Sequence, residues 1–183
     1  MARVPPPDHV NPTRGGRILV LVCIIALALN LRVAVGSLGV LIPDVRDHLG
    51  LSLTVTGLLT TLPVLCFSLF GAGTNNIVRV VGIHRTALLG LIVITAGLLV
   101  RSVASSGLVF VTFTTLALAG CAIGNVILPP LAKLHFPDHL GSVSAAYGAA
   151  LMTGATIGSG ITVPLAHVLG GWRGGLAVWA ALS

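Results

Sequence analysis

Long apolar stretches, separated by short polar breaks, make up most of this chain. Five of them, Ile18–Ile42, Thr54–Ile77, Ile83–Ala104, Leu108–Leu131 and Val143–Leu169, are long enough to span a membrane. A helix rising about 1.5 Å per residue crosses a bilayer in roughly 20 residues. A sixth stretch runs from Trp172 to Ser183. At about 15–18 Å it is too short to cross, so a truncated sixth helix is expected. The breaks carry residues that end helices and turn chains: Pro43, Asp44, Arg46, Asp47 and Gly50 first, then Gly82, His84 and Arg85. Ser105, Ser106 and Gly107 follow, then Lys133 to His139 with Pro137, and last Gly170 and Gly171. Residues 1–17, with Pro5, Pro6, Pro7 and Pro12, read as a disordered cytoplasmic tail. The first apolar run exceeds a signal-peptide core and no small-residue cleavage site follows it, so it is expected to stay as a spanning helix. The pattern predicts an all-α membrane protein: a tail at 1–17 and a transmembrane helical bundle over 18–183.

Composition excludes the main alternative. Only 8% of the 183 residues are charged and 55% are hydrophobic, against roughly 25% charged in a water-soluble domain. The net charge of +6 comes from single Lys and Arg residues scattered between apolar runs. They form no basic cluster of the kind nucleic acid requires, so the expected partner is the lipid bilayer. Their placement sets orientation instead. With the N-terminus inside, the inner segments hold six (Arg3, Arg14, Arg17, Arg79, Arg85, Lys133) and the outer segments three (Arg46, Arg101, Arg173). That favours a cytoplasmic N-terminus in a multi-pass protein of the cell membrane. Cys23, Cys66 and Cys121 lie far apart in apolar runs, with no metal-ligand spacing, and read as packing residues. Neither a metal site nor a cofactor is expected.

An internal repeat is visible. His48-Leu49-Gly50 precedes the second span and His139-Leu140-Gly141 the fifth, with Gly57 and Gly148 at matching distances. Gly82-Ile83-His84-Arg85 precedes the third span and Gly170-Gly171-Trp172-Arg173 the sixth. Spans one to three then echo spans four to six. An odd number of helices per unit makes the two units inverted in the membrane, as in many secondary carriers.

Arg32 is the sharpest candidate for chemistry. It lies past the midpoint of the first span, where a charge costs at least about 2.5–3.5 kcal/mol on insertion scales. The chain has four acids, Asp8, Asp44, Asp47 and Asp138, all in the tail or the breaks. Arg32 therefore needs an anionic ligand, a water-filled cavity, backbone carbonyls or a further part of the protein, unless it snorkels to the outer interface. Ala28, Gly36 and Gly39 share its helix face and let a helix or a ligand approach. A guanidinium suits a carboxylate or similar planar anion. Asn30 and Asn125 are deep polar candidates for ligand contact or interhelical bonding, and Tyr147 is a further pocket candidate. Pro129-Pro130 is expected to break the helical ladder below Asn125, and Pro63 to kink the second span. Gly154 and Gly158, a GxxxG pair, are expected to pack helices closely. An intramembrane serine protease fails, because Ser159 and His167 lie two turns apart on one helix without the supporting geometry.

Several of these residues also carry a family resemblance. Leu29-Asn30-Leu31-Arg32, Leu58-Leu59-Thr60-Thr61-Leu62-Pro63-Val64, Gly124-Asn125-Val126-Ile127-Leu128-Pro129, Lys133, Phe136-Pro137-Asp138 and Gly170-Gly171-Trp172-Arg173 resemble the N-terminal half of the major facilitator superfamily. The likeness is to its cyanate and 2-nitroimidazole transporter family and runs from about Ala26 onward. It implies a bacterial inner-membrane secondary transporter with alternating access, twelve helices in two six-helix halves, and Arg32 as an anion-binding residue. A C-terminal six-helix half is then an expected partner. Gly36, Pro63, Arg79, Gly82, Arg85, Pro129, Gly154 and Gly158 become structural or gating positions. Two departures stand out: Val33 sits where the family often has Pro, and Asn75 to Gly82 lacks the acid usual in the loop after the second helix. A transporter of a small anionic or polar compound, a non-transporting or truncated membrane protein, and an assembly subunit all remain open.

Overall fold

The computed structural model describes residues 14–183, except the side chains of residues 14, 15 and 182. They form α1 (Arg14–Leu49), α2 (Leu53–Val81), α3 (Ile83–Ser102), α4 (Gly107–His135), a 3-10 turn at Pro137–His139, α5 (Leu140–Val168) and α6 (Trp172–Leu182). Five of these helices are long and apolar enough to cross a membrane. No strand occurs among the described residues. Large apolar side chains, such as Leu19, Leu69, Leu88, Ile92 and Leu108, stand exposed on the outer surface, where lipid rather than water fits them.

The helices run further than the breaks suggest. Of the tail expected at 1–17, residues 1–13 lie outside the described residues, while Arg14 to Arg17 already belong to α1. Pro43, expected to close the first span, sits inside α1, which continues to Leu49. Its ring frees the Gly39 carbonyl. Gly39 and Pro43 both lie on an exposed face where nothing crowds them, so the helix tolerates the loss. Arg79 likewise lies in the last turn of α2 rather than in a loop. Only Gly82, at φ +89°, separates α2 from α3. This left-handed conformation favours glycine. Pro63 and the Pro129-Pro130 pair are held within α2 and α4, both of which continue past them.

Packing follows the repeat. α1 lies along α5 and α4 along α2, and exchanging helices one to three for four to six maps one pair onto the other. α1 also crosses α4, and α3 lies against both α4 and α6. The weakest counterpart is α1 with α6, where the latter has only 11 residues. This is an all-α membrane bundle with the arrangement of two three-helix repeats. One buried cluster centres on Ile24, Leu31, Ile94, Cys121 and Leu128, and a second on Leu41, Leu59, Phe110 and Leu176.

Glycine sets the closest approaches. A Cβ at Gly154 would stand 2.5 Å from the Leu29 carbonyl oxygen, and one at Gly158 2.9 Å from the Val33 Cα. α1 and α5 therefore meet backbone to backbone, as the GxxxG spacing predicts. Gly97 meets Ala117 (2.7 Å to its N) and Gly120 meets the Gly90 carbonyl (2.9 Å), joining α3 and α4 in the same way. Gly154→Leu is expected to destabilise the bundle by about 1–3 kcal/mol or more, because the added atoms have no room. Gly160→Ala, where a Cβ meets nothing within 4 Å, should instead stabilise α5 by roughly 0.5–1 kcal/mol. Thermal unfolding of the two variants in detergent checks both signs.

Candidate functional site

α1 brings the deep polar residues into the bundle. At Leu31 it crosses α4: a Cβ at Gly124 would meet the Leu31 side chain at 2.9 Å, and the Cys121 thiol donates to the Leu31 carbonyl oxygen at 3.7 Å. The α1 turn that carries Arg32 therefore crosses the α4 turn that carries Asn125. Arg32 is half-buried, and its Nε is sealed from the surface without a hydrogen-bond partner among the described residues. Asn125 is half-buried and turns its Nδ2 back to the Cys121 carbonyl at 3.1 Å. Its Oδ1 is not used in that bond. Pro129 has no N–H to give to the Asn125 carbonyl, so an acceptor on the backbone is freed at the same place.

The other candidates do not join this crossing. Asn30 faces a separate cavity of about 290 Å³ bounded by Leu29, Val33, Leu98, Ile157 and Trp179. Arg32 is not among its lining residues, as expected for positions two apart on a helix. Tyr147 is half-buried against the first core cluster. It lies eleven residues, or about 16 Å of helix rise, before Gly158, the α5 residue that touches α1 next to Arg32. Of the four expected substrate contacts, the structure thus brings only Arg32 and Asn125 to one crossing. The close approach expected on the Arg32 face is made by α5. A Cβ at Gly36 would stand 3.1 Å from the Ala155 carbonyl oxygen. Ser159 donates to the Ala155 carbonyl (2.7 Å) and His167 is exposed, so neither forms a nucleophile–base pair.

Arg101 was expected among the outer loop charges, and the structure places it otherwise. It lies in the last turn of α3 and is fully buried. Its Nη2 donates to the Ala34 carbonyl oxygen and to Ser37 Oγ on α1, each at 3.3 Å. Nε and Nη1 have no partner among the described residues. Two signals in the sequence could have shown this. Gly90, Ile94, Gly97, Leu98 and Arg101 form one buried stripe at helical spacing. A helical side chain also leans toward its own N-terminus, which aims a residue at the end of α3 back into the bundle. Arg173, the second residue of α6, is an exposed counterexample. It leans outward, donates to the Ala104 carbonyl oxygen at 2.9 Å, and stacks 5.3 Å from the Trp172 ring.

The remaining expected structural positions fall at helix ends or on open faces. Arg79 and Arg85 are exposed beside Gly82 at the α2–α3 junction, and Pro129 is exposed on α4. Along α2 and α5 an exposed polar stripe includes Thr60, Thr61, Ser68, Asn75 and Asn76, and Thr153, Thr156 and Ser159. At membrane depth such a stripe must face water or protein rather than lipid.

A multi-pass helical bundle with an inverted internal repeat and an uncompensated cation at its central crossing is the pattern of a membrane carrier. The chain belongs to the Major Facilitator Superfamily, whose profile matches residues 18–183. It is 36% identical over 161 residues to an uncharacterised transporter of Bacillus subtilis. It is 36% identical over 160 residues to the 2-nitroimidazole transporter of Escherichia coli, and 29% identical over 160 residues to the cyanate transport protein of the same organism. Each match covers 87% of this chain and 40–42% of the relative. The chain therefore spans less than half the length of the transporters it matches.

Burying Arg101 without an anion leaves a charge poorly compensated, and apolar replacement of such groups is often neutral or stabilising by about 1–4 kcal/mol. Arg101→Met is therefore expected to hold or raise the unfolding temperature of this chain in detergent, whereas Arg101→Glu lowers it. A marked drop for Arg101→Met would mean that the guanidinium bonds to α1 outweigh its desolvation.

Proposed function

We propose that this chain is the N-terminal six-helix half of a secondary transporter that moves a small anionic or polar compound across the cell membrane by alternating access. The observation that carries the reading is Arg32: a membrane-depth guanidinium whose buried Nε has no partner among the described residues, at the crossing of the two helices that open the repeats. Arg32 supplies donors for an anionic or strongly polar oxygen. Asn125 supplies acceptors beside it. A ligand with an oxygen-rich end and an N–H suits this pair, and so does a compact anion. The compounds in the relatives' names, cyanate and 2-nitroimidazole, are of these two kinds. The exposed polar stripes of α2 and α5 support a second six-helix half that closes a water-filled path, and the relatives' extra length is sufficient for one. Gly36, Gly154 and Gly158 let α5 slide on α1, and Gly82 with Arg79 and Arg85 serves as the hinge region at the α2–α3 junction. The loop without an acid favours a second reading, a membrane subunit that does not itself transport.

Uptake of labelled cyanate and 2-nitroimidazole separates the readings, measured in cells that express the chain alone or joined to a six-helix second half. Saturable uptake that falls at least about tenfold in Arg32→Ala, and is not restored by Arg32→Lys, supports the anion site. Saturable uptake unchanged in Arg32→Ala overturns it, and no uptake by either form favours the subunit reading. The excess of basic residues on the N-terminal side argues for a cytoplasmic N-terminus. A cysteine at Asp47→Cys should then react with a membrane-impermeant maleimide in intact cells, and one at Asp138→Cys only after lysis.

A further inference from the structure

The α3 and α4 ends that lie beside the N-terminal part of α1 carry a feature the transport reading does not use. His84, the second residue of α3, faces His135, the last residue of α4, with the two Nε2 atoms 3.4 Å apart. The rings stand edge to face, with centroids 5.3 Å apart and planes at 87°. The pair closes one end of an apolar groove of about 360 Å³ lined by Leu19, Cys23, Leu27 and Leu91. Its residues are 51 apart in sequence, so no motif spacing reveals it.

We infer that His84 and His135 form a two-histidine site for a divalent transition-metal ion. A tetrahedral cation about 2.0–2.1 Å from two imidazole nitrogens sets those nitrogens about 3.3–3.4 Å apart and the ring centroids about 5.2 Å apart. Both observed distances match. One ring can also donate an N–H···N hydrogen bond to the other across this separation, but a straight bond would place the centroids about 5.7 Å apart, because each nitrogen lies about 1.1–1.2 Å from its ring centre. The two nitrogens instead converge on a point off the line between them. The second shell fits as well. His135 Nδ1 lies 3.1 Å from the Leu131 carbonyl oxygen. An Nδ1–H donated there leaves the Nε2 lone pair for a metal, the arrangement that orients histidine ligands in metal proteins. His84 is exposed, so the site is open to ions. Among the described residues no third His, Cys, Asp or Glu joins the pair. Water completes the shell, and imidazole ligands select zinc, copper or nickel over magnesium or calcium. The basic neighbours Arg85 and Lys133 weaken the site and keep binding reversible. A bound ion staples the end of α4, beyond Pro129-Pro130, to the start of α3, next to the Gly82 junction. The inference rests on the helix ends alone and stands apart from the substrate reading.

The test uses the full chain, purified in detergent through a tag without histidine. Zn²⁺ is titrated calorimetrically, and Cu²⁺ binding is followed by electron paramagnetic resonance. One ion per chain is expected, with at least about tenfold weaker binding in both His84→Ala and His135→Ala and no change in His167→Ala, at the far end of α5. The copper spectrum should show splitting from two nitrogens, a readout on the parent chain that does not depend on how the variants fold. Parent-like affinity in His84→Ala and His135→Ala, or a copper spectrum with fewer than two coordinated nitrogens, overturns the site.

Discussion

The bilayer core offers no water to a peptide group, and the rest of this structure depends on that constraint. Every backbone donor must be paired within its own helix. The helices consequently run through positions that would stop them in water. α1 carries Pro43 and α4 carries two adjacent prolines, yet each continues for at least another turn. Lipid also removes the usual hydrophobic reward for helix contact, since the tails are as apolar as leucine. What remains is close packing. It is concentrated where Gly154 and Gly158 admit the α1 backbone and where Gly90, Gly97 and Gly120 lock α3 to α4.

Within that scaffold the two deep guanidinium groups have different standing. Arg101 is sealed, and its partners among the described residues are a carbonyl and a hydroxyl of α1. It ties the end of α3 to α1 and offers nothing to a solute. Arg32 is half-buried, on a helix whose neighbouring face opens at Gly39 and Pro43. Asp44 and Asp47 are exposed at the end of the same helix, so under the proposed reading the charge of Arg32 would act on whatever enters beside α1.

The spans, their order and the repeat were legible in the sequence because lipid imposes length and apolarity directly on each segment. The GxxxG contact was legible too, since its spacing is local to one helix. The helix ends were not. The composition of a break shows where polarity begins, not where hydrogen bonding stops, which is why Pro43 and Arg79 read as loop and fold as helix. Arg101 was misplaced for a related reason. Counting it with the outer charges used its position along the chain and ignored the lean of its side chain toward the helix start. The grouping of Arg32, Asn30, Asn125 and Tyr147 depended on rotation and height about four helix axes, which sequence spacing constrains only within one helix.

How polar capacity is distributed sharpens the reading of the site. The α2 and α5 stripe looks rich in hydrogen-bonding groups, but much of that capacity is already used. Thr60, Thr61, Ser68, Thr156 and Ser159 each donate to a carbonyl one turn back in their own helix. Such hydroxyls tolerate water, protein or a passing solute with little preference. The α1–α4 crossing keeps unused capacity next to a half-buried side chain: Arg32 has an idle donor and Pro129 frees the Asn125 carbonyl. Under the proposed reading, a surface that is mostly neutral toward solutes, with Arg32 as its point of attachment, would suit binding that must also be released. The same crossing joins the helices that the internal repeat relates. A ligand held there would touch both repeats at once, and relative movement of the repeats would change its grip.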